Sequence, residues 1–115
     1  MIPEHWQPVA RPDGETVGYV AASGEEFVGL DLLGHELGSA PWDDEARALV
    51  VRHGLASLGR SWIWTDESGE TRRVYVVHVR PGSATVSTGM PGVIGAEGER
   101  FEVALPIDPE RFRPA

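Results

Sequence analysis

The chain has 115 residues, a formal net charge of −8, and neither cysteine nor lysine. Its length predicts a single domain, residues 1–115, and the lack of cysteine excludes disulfides and thiolate metal sites. Its acidity disfavours nucleic acid as a partner, while the absence of a signal peptide and of any membrane-length apolar run predicts a soluble cytoplasmic protein.

Short apolar segments separated by turn residues predict three strands, then one helix, then four more strands. The predicted strands lie at residues 5–10, 16–22, 26–32, 60–65, 72–80, 84–88 and 100–105. Because their connections are short, the strands are expected to pair in the antiparallel sense. The predicted fold is therefore α+β, an antiparallel sheet or half-barrel of about six to seven strands in two meanders with one main helix between them.

The main helix is predicted at about residues 43–53. Three acidic residues suit its positive N-terminus, and Leu49 and Val50 form its apolar face. Gly54 is expected to end the helix in a left-handed conformation. The glycine-bounded segment 34–41, which precedes the helix, is predicted to be a loop.

The helix and the two strongest strands predict one buried core, made of Leu49, Val50, Trp62, Trp64, Tyr75, Val77 and Val86. Residues 89–98 form a glycine-rich loop, and its apolar part, 92–95, is either a flap over a pocket or an ordinary connection. One closing helical turn is predicted at residues 108–112, with Asp108 as its cap and Pro109 at its first position. Pro8 blunts the edge of the first strand, whereas the last strand, 100–105, is open to pairing with a partner.

Two stretches of the chain resemble each other, because each has a tryptophan, a turn that reads Gly-Glu-Thr, and a strand that carries Tyr-Val. The equivalent positions are predicted to be Trp6 and Trp62, Gly14 and Gly69, and Tyr19 and Tyr75. Both glycines are expected at hairpin tips with a positive φ. The spacings differ by one residue between the copies, which predicts a bulge in at least one hairpin. Duplication and convergent reuse of one turn both explain the resemblance.

The chain contains no complete catalytic or metal-binding motif. His35 and Glu36 stand before the helix, but no second histidine follows at the spacing of a zinc protease. His35 is either an acid/base group beside a pocket or an exposed loop histidine. The other histidines, His5, His53 and His78, are too widely spaced for an ordinary zinc site. We therefore expect no catalytic residue, no metal and no cofactor.

Trp62 and Trp64 lie two residues apart and share one face of a strand. Exposed tryptophans in this arrangement stack a base, a sugar or a peptide proline, whereas buried ones support a helix, and we favour the second interpretation. The first functional hypothesis is a non-catalytic module that binds a protein partner or a second copy of itself. The alternative is a small-ligand-binding protein or enzyme whose pocket lies near His35, Glu36, the helix start, Trp62 and Trp64.

The first half of the chain resembles a family of small uncharacterised actinobacterial proteins with no assigned activity. The residues that carry the resemblance are Asp13-Gly14-Glu15, Val17-Gly18-Tyr19-Val20, Leu33-Gly34-His35, Leu37-Gly38, Pro41, Glu45-Ala46, Gly54-Leu55, Leu58 and Trp62. The absence of lysine and asparagine, which have A-rich codons, is typical of a GC-rich bacterial genome and agrees with this resemblance. The resemblance implies no functional residue.

Overall fold

The computed structural model describes residues 2–90, 95 and 98–115. In this part, the chain forms one α-helix and nine strands in two antiparallel sheets, which confirms the predicted α+β class. The chain divides into two compact units, residues 2–57 and 58–115, and a single domain stays a prediction. Residues 92–94 of the suggested flap lie outside the described residues.

The first unit contains a four-stranded sheet in the order β1-β2-β3-β4, and the second contains a five-stranded sheet in the order β8-β7-β6-β5-β9. The elements are β1 (Gln7–Ala10), β2 (Thr16–Ser23), β3 (Glu26–Asp31), β4 (Glu36–Ala40), α1 (Asp43–Leu58), β5 (Ser61–Thr65), β6 (Thr71–Arg80), β7 (Ser83–Ser87), β8 (Arg100–Ala104) and β9 (Phe112–Pro114). All neighbouring strands are antiparallel, as predicted.

Two segments differ from their predicted structure. The predicted loop 34–41 is wrong, because its residues 36–40 form β4, which pairs with β3 through Gly38 and Gly29. The closing turn is present, since the carbonyl of Asp108 accepts the N–H groups of Arg111 and Phe112 at 3.0 and 2.8 Å. Phe112 then begins β9, a strand that the sequence analysis missed.

Helix α1 lies unusually close to the sheet of the first unit. Its buried residues are Ala46, Val50, Gly54 and Ser57. A Cβ atom on Gly54 would lie 2.5 Å from the carbonyl oxygen of Val17, and one on Gly18 would lie 2.6 Å from Val50 Cγ1. Gly54 therefore lies inside the helix where the backbone of β2 approaches it, and the prediction that it ends the helix is wrong.

The predicted core residues are buried to different degrees. Val50, Trp62 and Val86 are fully buried, whereas the side chains of Leu49, Trp64 and Tyr75 are only partly buried. Val77 is 37 % exposed, so its predicted burial is wrong. The physical reason is strand alternation, because Val77 is three residues after the fully buried Val74 and so lies on the opposite face of β6.

The two Gly-Glu-Thr stretches form the same turn. Gly14 donates its N–H to the carbonyl of Arg11 at 2.8 Å, and Gly69 donates to that of Asp66 at 3.0 Å. The two glycines have φ values of +89° and +86°, a region that other residues resist. Both are at hairpin tips, which confirms this part of the prediction.

A third copy of this turn joins β3 to β4. Gly34 donates to the carbonyl of Asp31 at 3.0 Å, and its φ is +86°. The side-chain oxygen of Asp31 also accepts the N–H groups of Leu33 and His35, each at 2.9 Å. This copy was not predicted, because the turn lacks the Gly-Glu-Thr residues that mark the other two.

The predicted equivalence of the aromatic residues is wrong. Trp6 precedes β1, and its ring centroid lies 5.8 Å from that of Tyr19. Trp62, by contrast, is inside β5 and stands opposite Val74, so it lies on the other face of the sheet from Tyr75. The two tyrosines therefore have unrelated surroundings, and the similarity between the hairpins is confined to their turns.

The predicted bulge occurs in the first hairpin. The β1–β2 register shifts between Val9 and Ala10, whereas the β5–β6 register is continuous. Val17 and Val20 are three residues apart, which in a regular strand places side chains on opposite faces. Both nevertheless belong to the buried cluster that includes Val50, because the bulge changes the direction of one side chain.

Candidate functional site

The predicted ligand-binding residues belong to two different units. His35, which is half-buried, and Glu36, which is exposed, lie at the β3–β4 turn of the first unit. Trp62 and Trp64 lie on β5 of the second unit. A pocket that these four residues share stays a prediction.

A buried carboxylate, which was not predicted from the sequence, lies beside His35 in the chain. Asp31 is fully buried, and besides the two backbone N–H groups of its turn it accepts the hydroxyl of Ser57 at 2.5 Å. The same hydroxyl lies 3.1 Å from the carbonyl of Gly54. Burial raises the pKa of Asp31. This arrangement ties the end of α1 to the β3–β4 turn, which is a structural role.

Asp66 occupies the same turn position as Asp31 and has the opposite electrostatic character. Its side-chain oxygen accepts the N–H groups of Ser68 and Glu70 at 2.9 and 3.1 Å. The Ser68 hydroxyl and the Arg72 guanidinium hold the pKa of Asp66 well below its usual range. The same turn position therefore holds a carboxylate whose pKa is raised at Asp31 and lowered at Asp66.

The sheet of the second unit curls strongly. In a flat sheet, the backbones of β5 and β8 would be about 14 Å apart, because two strands separate them. The rings of Trp64 on β5 and Phe101 on β8 nevertheless lie 5.1 Å apart between centroids. The Arg72 guanidinium lies over both rings, 5.9 and 4.7 Å from their centroids. These side chains lie together on one face of the curled sheet, and the predicted single sheet of six to seven strands is instead two sheets, of four and five strands.

A cleft of about 260 Å³ lies where the two ends of this curled sheet approach each other. Its walls are the end of β5 with the turn that follows, the edge strand β8, the connection to β9, and the start of β9. Trp64 and Phe112 supply aromatic surface, and Glu67 and Glu102 supply carboxylates. Trp64 is half-buried, so its ring belongs both to the core and to the cleft. Of the four predicted ligand contacts, Trp64 is the one that lines this cleft.

The two edges that meet at the cleft differ in their ability to accept another strand. Leu105 N–H bonds to Gly82 and Thr88 N–H bonds to Glu99, so residues of β8 at odd positions face β7. The alternation of an antiparallel ladder then directs the N–H and C=O groups of Arg100, Glu102 and Ala104 away from β7. All three side chains are exposed. The predicted open edge at 100–105 is therefore an edge strand.

Strand β9 presents no comparable set of donors. The bonds from Thr65 N–H to Arg111 and from Ala115 N–H to Ser61 direct Arg113 toward β5 and leave Phe112 and Pro114 facing outward. Phe112 N–H is already bonded to Asp108 at 2.8 Å, and proline has no N–H. Edge β9 is thus protected, whereas β8 is the edge that is able to pair.

A second pocket of about 400 Å³ lies beside the start of β5 and the middle of β6. Leu58, Val76 and Met90 provide apolar walls, and Arg60 and Tyr75 contribute polar side chains to the lining residues. The Arg60 guanidinium lies 5.8 Å from the centroid of the Trp62 ring. Within the described part of the chain, Arg60 forms no ion pair.

In residues 2–90, 95 and 98–115, no group of three or more histidine, aspartate or glutamate side chains is placed to hold a metal ion. No helix of that part is long and apolar enough to span a membrane. No protein-family model matches the chain, and neither a curated protein nor a solved structure shows significant similarity to it. The resemblance to small actinobacterial proteins and the expected absence of metal and cofactor stay predictions.

Proposed function

We propose that this chain is a non-catalytic protein-interaction module that adds an extended segment of a protein partner to the free edge of β8. The observation that carries the proposal is the contrast between the two edges at the cleft. The outward backbone groups of Arg100, Glu102 and Ala104 have no partner among the described residues, whereas Pro114 removes the donor that β9 would offer. Addition of a strand to an exposed edge is a common mode of peptide recognition.

The chemistry of the site supports binding rather than catalysis. The polar side chains around the cleft are largely engaged in bonds that hold the fold, because Asp66 binds Ser68 and Arg72, and Glu102 binds Thr85 and Arg80. A nucleophile with an adjacent base, which most hydrolytic mechanisms need, does not occur among the lining residues. A cytoplasmic location and the absence of nucleic-acid partners belong to the same proposal and rest on composition.

We expect the exchange of Ala104 for proline to weaken peptide binding about tenfold, because the change removes one outward donor and places a ring at the docking edge. The probe is a display library of random ten-residue peptides, and affinities of recovered peptides are measured by fluorescence anisotropy. Ala104→Ser is the matched control, because it keeps the backbone N–H, and its affinity should stay within about twofold of the original.

A second readout does not depend on either variant. Binding of a recovered peptide should slow hydrogen exchange at the amides of Glu102 and Ala104, which face water in the free protein. Recovery of no peptide, equal affinity of the proline and serine variants, or unchanged exchange at these amides would contradict the proposal. So would a stable dimer formed through β8 in the absence of peptide, because a second copy would then be the occupant.

Binding of a small molecule is a second candidate function, favoured by the pocket beside Arg60. Its volume of about 400 Å³ falls within the usual range for ligand pockets, about 300–1,000 Å³, and a guanidinium next to apolar walls suits an aromatic carboxylate. Benzoate should raise the melting temperature, while benzyl alcohol and the Arg60→Gln variant should show no such rise. An equal response to both compounds would exclude a carboxylate site here.

A further inference from the structure

We infer that the segment accepted by β8 is basic, with an arginine or lysine side chain seated in the cleft between β8 and β9. This inference rests on the proposed function and specifies its partner. Four acidic residues from three separate segments line the cleft, namely Asp66, Glu67, Glu102 and Asp108. Among the same lining residues, Arg111 is the one cationic side chain, and its Nη1 lies 3.4 Å from the carbonyl oxygen of Asp66.

Two of these carboxyl groups, those of Asp66 and Glu102, are held in the charged form by their neighbours. Asp66 is ionised because Ser68 and Arg72 lower its pKa, and Glu102 because Thr85 and Arg80 lower its pKa. Even when Arg72 and Arg80 are counted with Arg111, the carboxylates outnumber the guanidinium groups. A charged side chain that enters from an extended segment therefore meets a surface that favours a cation.

Glu67 is the carboxylate best able to bind an incoming cation. It is exposed at the tip of the β5–β6 turn, and it forms no ion pair within the described residues. Asp66, in contrast, already bonds to its own turn and to Arg72. A cation at the cleft is thus expected to pair first with Glu67.

The size and walls of the cleft fit one long side chain. A volume of about 260 Å³ lies below the range of about 300–1,000 Å³ that is usual for small-molecule sites. Trp64, Val103, Pro106 and Phe112 line the cleft with apolar surface. Arginine and lysine combine an apolar stem with a charged end, so their stem is able to contact this surface while the charge meets the carboxylates.

The test uses three synthetic ten-residue peptides that alternate threonine and valine and differ at one central position, which holds arginine, citrulline or glutamate. We expect the arginine peptide to bind about five- to tenfold more tightly than the citrulline peptide, and the glutamate peptide to bind most weakly. Raising the salt concentration from 50 to 300 mM should weaken the binding of the arginine peptide alone. Affinities are measured by isothermal titration calorimetry.

Glu67→Gln removes the carboxylate with little change of shape. It should lower the affinity for the arginine peptide about two- to fivefold and leave the affinity for the citrulline peptide unchanged. Glu110→Gln is the matched control, because Glu110 is exposed in the same unit and does not line the cleft. The arginine and citrulline peptides could instead bind with equal affinity, and Ala104→Pro could weaken the binding of both. In that case the inference of a basic partner is wrong, while the proposal of strand addition at β8 stands. If none of the three binds, both proposals fail.

Discussion

Replacement of Asp31 by alanine should lower the free energy of unfolding by about 3 kcal/mol or more, because the change leaves buried donors without an acceptor. The N–H groups of Leu33 and His35 both bond to Asp31 Oδ1, and Ser57 bonds to Oδ2. Each unsatisfied buried donor costs about 1–3 kcal/mol. The measurement is urea unfolding followed by tryptophan fluorescence.

Asp31→Asn is the matched variant and should cost less than about 1 kcal/mol at neutral pH. Its carbonyl oxygen is able to accept the same two N–H groups. Its amide is able to donate to Ser57, whose hydroxyl proton then points to the Gly54 carbonyl 3.1 Å away. Equal destabilisation by alanine and asparagine would show that the hydrogen bonds are not the source of the effect.

The same residue sets an unusual dependence of stability on pH. Because burial raises the pKa of Asp31 above its ordinary value near 3.8, the folded state binds more protons than the unfolded state between these two values. Its contribution to stability is therefore complete below about pH 3.8 and is lost as the pH rises through the raised pKa. The stability of the original protein relative to Asp31→Asn should fall over that interval, and a rise would contradict the assignment.

Replacement of Gly18 by alanine should lower the free energy of unfolding by about 3 kcal/mol, through overpacking at the contact between α1 and its sheet. The new Cβ would lie 2.2 Å from the carbonyl oxygen of Leu30 and 2.6 Å from Val50 Cγ1. The first neighbour is backbone, so no rotamer change relieves it. Calorimetric melting gives the measurement.

Gly54→Ala tests the same contact from the helix side, because its Cβ would lie 2.5 Å from the carbonyl oxygen of Val17. Helix propensity alone predicts that this change stabilises the protein by about 1 kcal/mol. A net loss of stability would therefore report the close approach of α1 to β2. His53→Ala, on the exposed side of the helix, is the control and should stay within about 0.5 kcal/mol.

Local features were accessible from the sequence because their causes lie within a few residues. The turns at Gly14 and Gly69 were predicted correctly, since a glycine at this position relieves the steric cost of a positive φ. The closing turn at Asp108 followed from the same kind of short-range signal. The edge position of 100–105 was predicted on the premise that this strand is the last one, and that premise is wrong because β9 follows it.

Other features depended on residues far apart in the chain. Gly54 carries the same local signal as a helix-ending glycine, and only the approach of the Val17 backbone explains why the helix continues through it. The residues around Asp31 indicate only an ordinary turn. Its buried hydrogen-bond partner, Ser57, lies far along the chain on the helix. In both cases the deciding contact joins elements that are separated by many residues.

By itself, the sequence determined the α+β class, the antiparallel pairing, the start of the helix and the turn glycines at 14 and 69, because periodicity and turn chemistry act locally. Only the tertiary structure decided that the second sheet curls until Trp64 meets Phe101 and that its two edges enclose a carboxylate-lined cleft. The physical reason is that sheet curvature results from packing among side chains on several strands. No pattern within a single strand records it.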